Sequence, residues 1–148
     1  MSECLFCSIA NGDVPSHSVY VSSSVIAFLD INPIREGHLQ IASRQHYRYY
    51  DDLPLPVAAE ILAIGQRVAP VLRSLYRVDR VAFLFTGGDI PHAHAHVVPM
   101  VEKTDITSRR YIANADVTFR DMPRTPESTL AETAALIRSA LEVHSGRA

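Results

Sequence analysis

A chain of 148 residues, 47% hydrophobic and 20% charged, has the size and composition of one globular domain with a core of its own. Fourteen basic against sixteen acidic residues leave a net charge of −2. That balance argues against the broad basic surface used to bind nucleic acid, so any phosphate is expected to meet local donors instead.

The N-terminal stretch MSECLFCSIANGDVPS lacks the basic start, apolar run and small-residue cleavage site of a secretory leader. No stretch is read as reaching the roughly eighteen apolar residues of a membrane span. A cytoplasmic protein without a membrane partner is the expectation, and there two cysteines are not expected to form a disulfide.

SVYVSSSVIAFLDI (Ser18–Ile31) predicts two short strands around a serine turn, from its β-branched and aromatic residues. NPIREG breaks the pattern at Pro33 and Gly37, and HLQIASR (His38–Arg44) predicts a third strand. From Leu53 to Arg77, the residues Val57, Ile61, Ile64, Val68, Val71, Leu72 and Leu75 recur at helical spacing. Pro54 and Pro56 suit a helix start, while Pro70 should kink or break the helix. RVAFLFTGG (Arg80–Gly88) predicts a fourth strand and Pro91–Val101 a fifth.

Beyond Glu102 the chain is first polar and irregular. Thr125 and Pro126 then read as N-cap and first helical residue. Leu130, Ala134, Ile137 and Leu141 mark one apolar face of a helix over about 126–144. The expectation is a single α+β domain over residues 1–148, with a core at about 4–101 and a C-terminal extension from 102.

PHAHAHVVPM (Pro91–Met100) places three of the seven histidines within five residues. On a strand His92, His94 and His96 project to one side, about 6–7 Å apart, while Ala93 and Ala95 face the other. Three same-face imidazoles have no packing advantage and are costly when buried without partners. They could form a three-histidine metal site. Alternatively, a neutral imidazole could attack phosphorus while its neighbours donate to phosphate oxygens.

HAHAHVV has the form His-φ-His-φ-His-φ-φ, and AFLDINP and GHLQIASRQH precede it at matching order and distance. Together these motifs resemble the histidine triad (HIT) superfamily of nucleotide hydrolases and transferases, over roughly Cys4 to Val101. The resemblance implies the HIT fold, with about five mainly antiparallel strands, a main helix and here an extra C-terminal helix. It also implies that His94 is the nucleophile toward the α-phosphorus of a nucleotide. A covalent nucleotidyl-histidine would form, and water would then release the nucleoside monophosphate. His96 would donate to phosphate and help protonate the leaving group, and His38 would line the phosphate site. Phe6, Ile9 and Val14 would surround the base with Phe28 and Ile31, and Asp30 would accept from the ribose hydroxyls. From the residues alone, Phe28 and Ile31 could be plain core residues and Asp30 a turn cap.

The segment before the triad, FTGGDIPH, departs from the family. It is several residues shorter. Thr86 stands for an asparagine, and Gly88 and Asp89 for a glutamine and a hydroxyl residue. Gly87 and Gly88 still permit close approach to a phosphate, whereas an ionised Asp89 would repel one.

Cys4 and Cys7 form C-x-x-C. A redox pair would normally open a helix in a βαβ setting, which is absent. Two buried thiols, or half of a zinc site, are the other readings. Some bacterial HIT proteins are similar in completing such a pair with two histidines, which correspond here to His46 and His92. The resemblance thus implies a structural Zn2+ on Cys4, Cys7, His46 and His92, with no organic cofactor. His17 and His144 show no partner pattern and are expected to be exposed.

The activity implied is hydrolysis of a nucleoside phosphoramidate or dinucleoside polyphosphate. A binding module with little turnover, a nucleotidyl transferase and a zinc hydrolase on the three triad histidines are the alternatives. A homodimer through the Val57–Leu75 helix is expected, and the extension is expected to shape the leaving-group side or the dimer edge.

Overall fold

The computed structural model describes residues 4–88, 90–106 and 122–145, without the side chains of the last two of these. Asp89, the His144 side chain and most of the polar stretch after Glu102 therefore lie outside the described residues. Five strands form one sheet: β1 (Ser18–Val21), β2 (Val25–Leu29), β3 (Leu39–Ser43), β4 (Arg80–Leu84) and β5 (His94–Met100). Their order is β1-β2-β3-β5-β4, and every pairing is antiparallel. The described helices are α1 (Leu5–Asn11), α2 (Leu55–Tyr76) and α3 (Glu127–Ser145), with one 3-10 turn at Tyr50–Asp52.

The serine turn between β1 and β2 is held by one side chain. Ser22 Oγ accepts from the backbone N–H of Ser24 at 3.2 Å and of Val25 at 3.0 Å, as hydroxyl-bearing turn residues do. β2 and β3 are buried throughout, because both faces of the sheet are covered. On one face Ala27, Leu29, Leu39, Ile41, Ala95 and Val97 meet α2 and α3. On the other face Ile26, Phe28 and Ala42 meet Phe6 and Ala10 of α1. This second face carries the polar residues of the site.

α2 runs unbroken for 22 residues through Pro70, contrary to the expected break. An interior proline costs about 3 kcal/mol. The neighbouring Val68, Val71 and Leu72 are almost completely buried, and burying each contributes about 1.5–3 kcal/mol, so packing outweighs the local defect. α2 is also long and apolar enough to cross a membrane by length and composition, which the expectation from sequence overlooked. Here it serves as a core helix, with one face on the sheet and α3.

α3 starts one residue later than expected, at Glu127. The carbonyl of Pro126 accepts the first ladder bond, from Leu130 N–H at 3.1 Å, while Thr125 N–H donates to Ile31 O at 2.8 Å. Thr125 is thus tied to the end of β2. The predicted face of Leu130, Ala134, Ile137 and Leu141 is buried.

β5 begins at His94, so His92 lies before the strand and does not share the face of the other two by strand alternation. The backbone here is held by Ala93 N–H to Tyr47 O at 2.7 Å and Ser43 N–H to Ala93 O at 3.3 Å. These bonds turn the His92 ring toward the N-terminal segment.

Candidate active site

His94 and His96 lie directly across from Ala42 and Gln40 of β3. Opposed residues of an antiparallel pair share a face, so both rings stand on the face covered by α1. His94 is buried and packs edge-on against Phe6, with ring centroids 4.9 Å apart. Its Nδ1–H donates to the His92 carbonyl at 2.6 Å. A carbonyl only accepts, so this bond places the proton on Nδ1 and leaves the lone pair on Nε2. A neutral His94 thus has its proton on Nδ1 and an unprotonated Nε2, on a ring that lines the cavity.

A second chain of bonds fixes His96. Ile34 N–H donates to His38 Nδ1 at 3.2 Å, so the proton of neutral His38 must sit on Nε2. That Nε2–H donates to His96 Nδ1 at 3.0 Å, which leaves the His96 proton on Nε2, 3.2 Å from Thr86 Oγ1. Burial holds the His38 imidazole below its usual pKa range; the Asp30 carboxylate opposes this and nearby His94 reinforces it. The result is a donor on His96 beside the His94 ring, with centroids 4.9 Å apart. His38 does not line the cavity, contrary to expectation. It is 3% exposed and stands behind His96. Gly37 lets the chain turn into it with φ at +85°.

A cavity of about 690 Å³ opens in front of these rings. Its walls include Phe6, Ile9, Val14, Phe28, Asp30, Ile31, Thr86, Gly88, His94 and His96. Of the residues expected around the substrate, Gly87 occupies a turn with φ at +60° and does not line the cavity, while Asp89 lies outside the described residues. Asp30 is held at both oxygens. Oδ1 accepts from Asn32 N–H at 2.7 Å and Oδ2 from Gln40 Nε2 at 2.6 Å.

Several wall residues had no signal in the sequence: Gln40, Asn32, His17, Arg124 and Glu127. His17 is not a free surface residue, because its Nε2 lies 2.6 Å from Glu127 Oε1 with the ring only 20% exposed. Asn32 Nδ2 donates to Met122 O at 3.1 Å. The C-terminal extension thus walls the cavity beside Ile31 and Asp30, the side expected to hold the nucleoside. The expectation was the leaving-group side or the dimer edge.

Cys4, Cys7, His46 and His92 converge on one point, with their ligand atoms all within 4.8 Å of one another. Cys4 Sγ is 3.3 Å from His92 Nδ1, and Cys7 Sγ is 3.4 Å from His46 Nδ1 and 3.5 Å from His92 Nδ1. Four donors set tetrahedrally around zinc at about 2.0–2.3 Å would lie about 3.3–3.8 Å apart, so the spacing fits. His92 Nε2–H donates to Ser43 O at 2.7 Å, which presents Nδ1 as the free lone pair, as a ligating imidazole requires. Burial and then the adjacent Cys4 push the Cys7 thiol up to about 11, so without a cation beside it Cys7 stays a neutral thiol near neutral pH.

A three-histidine metal site is not what the geometry assembles. His92 faces the cysteines and His96 faces His38, and no metal-ligand grouping among the described residues includes His94. Asp30, His38 and His96 do form a grouping, but their facing nitrogens are already joined by the bonds described above.

Residues 11–103 match the HIT domain. An uncharacterized HIT-like protein of Methanocaldococcus jannaschii is 32% identical over 67% of this chain and 80% of its own length. Adenosine 5′-monophosphoramidase of Saccharomyces cerevisiae is 29% identical over 65% of this chain and 61% of its own. The crystal structure of a zinc-bound histidine triad family protein from Mycobacterium smegmatis superposes with a TM-score of 0.76. It covers 99% of this chain and 98% of its own at 27% identity. With the triad on the central strand pair and the domain matched over most of the sheet, the chain belongs to the HIT family.

Proposed function

We propose that the protein is a nucleotide hydrolase that works through a covalent nucleotidyl-histidine on His94. The observation that carries this is the 2.6 Å bond from His94 Nδ1–H to the His92 carbonyl, which leaves Nε2 unprotonated on a ring that lines the cavity. That nitrogen forms a bond to the α-phosphorus as the bond from phosphorus to the leaving group breaks. The carbonyl of His92 stabilises the imidazolium that results. His96 Nε2–H donates a hydrogen bond to the departing nitrogen or oxygen, which takes up a proton from solvent as it leaves. Water then attacks phosphorus and loses its proton to solvent, and the nucleoside monophosphate leaves with His94 restored. Splitting the displacement in this way replaces one difficult step with two easier ones.

The apolar walls from Phe6, Ile9, Val14, Phe28 and Ile31 suit a flat base, and the pinned Asp30 carboxylate suits ribose hydroxyls. The yeast relative's activity on adenosine 5′-monophosphoramidate supports a nucleoside phosphoramidate as substrate, with dinucleoside polyphosphates as the second class. Cys4, Cys7, His46 and His92 would hold zinc in a closed four-ligand site. Such a site leaves no position for a metal-bound water, so the ion would fasten α1 to the catalytic strand and the chemistry would stay with His94. Leu55 and Leu62, exposed on α2, and the edge strand β4 would supply the face of a homodimer.

The test is AMP release from adenosine 5′-phosphoramidate and diadenosine tetraphosphate by wild type and His94→Ala. Wild type should release AMP, and His94→Ala should be slower by at least about 10³-fold, the loss typical of a missing nucleophile. Retained turnover in His94→Ala would refute the assignment.

A further inference from the structure

Gln40 has no part in the mechanism above, yet it stands at its centre. It lies across from His96 in the β3–β5 pairing, lines the cavity and is only 7% exposed. Its Nε2 donates to Asp30 Oδ2 at 2.6 Å. That bond fixes which way the amide points, since the reversed amide would set its oxygen against a carboxylate. Among the described residues, Oε1 is buried with no hydrogen-bond partner. An apolar side chain at this strand position would avoid that desolvation cost. Asn32 N–H meanwhile holds the other carboxylate oxygen at 2.7 Å, so Asp30 cannot swing or rotate freely.

We propose that Gln40 is a positioning residue that makes the site select for an intact ribose. This rests on the nucleotide reading given above. Held from both sides, Asp30 offers only its remaining lone pairs to the cavity, in fixed directions. Gln40 Oε1 stays buried behind that bond, so the amide acts on the sugar through the carboxylate that it orients. Sites built to hydrogen-bond a hydroxyl reject the analogue that lacks it, because their own buried groups are then left unpaired. A nucleotide with both vicinal hydroxyls satisfies this wall, and one without them does not.

The experiment compares kcat/KM for adenosine 5′-phosphoramidate and its 2′,3′-dideoxy analogue in wild type and Gln40→Met, which keeps the length and removes the amide. Wild type should prefer the ribose substrate by about 100-fold or more, and Gln40→Met should reduce that ratio about tenfold, mainly by losing rate on the ribose substrate. An equal fall on both substrates, or an unchanged ratio, would mean a structural role and overturn the inference. Should Gln40→Met not fold, wild type decides alone. AMP should then inhibit far better than 2′-deoxy- and 3′-deoxy-AMP, and a difference under about threefold would overturn the inference. If wild type turns over and binds no nucleotide, the functional reading fails and takes this inference with it. Normal turnover without sugar selectivity would refute the inference alone.

Discussion

Removing the metal should weaken nucleotide binding without abolishing chemistry. α1 is seven residues long, too short to be stable as an isolated helix. The described contacts that hold it are Phe6 and Ala10 packed on Ile26, Phe28 and Ala42, the Arg44 Nη2 bond to Ala10 O at 3.1 Å, and the two cysteines at its start. Phe6 is 4% exposed and packs on Phe28 at 5.3 Å and on His94 at 4.9 Å, so it is shared by the core and the nucleoside wall. In Cys4→Ser/Cys7→Ser the anchor is lost and α1 detaches more readily. Burial of one phenylalanine side chain is worth about 1.5–3 kcal/mol, which corresponds to roughly 10- to 100-fold in nucleotide affinity if that wall is lost. His94 and His96 sit on β5 and keep their partners. Zinc content by elemental analysis, thermal melting and steady-state kinetics on one preparation make the assay. We expect zinc lost, Tm lowered, KM raised within that range and kcat changed by less than about threefold. Loss of kcat at unchanged KM would refute the structural role of the ion.

His38→Gln removes the imidazole that sets the proton of His96. One hydrogen bond of this kind is worth about 0.5–1.5 kcal/mol, so kcat should fall roughly three- to tenfold on an amine leaving group. A nitrophenolate leaving group needs no proton, and its rate should hardly change; equal losses on both would remove the relay. Because burial lowers the His38 pKa, the unfolded chain binds this proton below about pH 6.5 while the folded protein does not. His38 therefore contributes stability above pH 6.5 that is lost as pH falls toward its folded value, by up to about 1.4 kcal/mol per pH unit. Urea denaturation at pH 7 and pH 5.5 should show a smaller drop in His38→Gln than in wild type. The His17–Glu127 contact has one partner 72% exposed, and such pairs are worth about 0–1 kcal/mol. Glu127→Gln should accordingly raise KM by no more than about fivefold at constant kcat, as steady-state kinetics would register.

The legible parts of this molecule are those written in short range. β-Branched and aromatic runs around Ser22–Ser24 specify β1 and β2, and the 3.6 spacing from Val57 specifies α2 even though Pro70 contradicts it. The triad is legible because its three histidines fall within five residues. α1 escaped because seven residues give too few turns for a period to register, and its first turn is occupied by cysteines that serve another purpose. The partners of His17 and Asn32 lie 110 and 90 positions away, and nothing in either local sequence points to them. Gln40 escaped for a different reason. In a strand of otherwise apolar character it reads as an exposed position, and only the sheet pairing shows that it is buried against Asp30.

His92 joins what the sequence presents as separate motifs. Its ring faces Cys4, Cys7 and His46, while its backbone carbonyl takes the proton of His94. The ring is fixed by Ser43 on one nitrogen and by the cysteines around the other, and a fixed ring leaves its own peptide little freedom. On the proposed mechanism the carbonyl that selects the nucleophilic tautomer is held by the backbone bonds of Ala93 to Tyr47 and Ser43 together with the Ser43 bond to the ring, so it keeps its place when the cysteines are changed. On that mechanism one residue of the triad can leave the strand face without loss of the triad's chemistry. The catalytic strand needs from that position an oriented backbone oxygen, and the ring is free to anchor it from the other side of the chain.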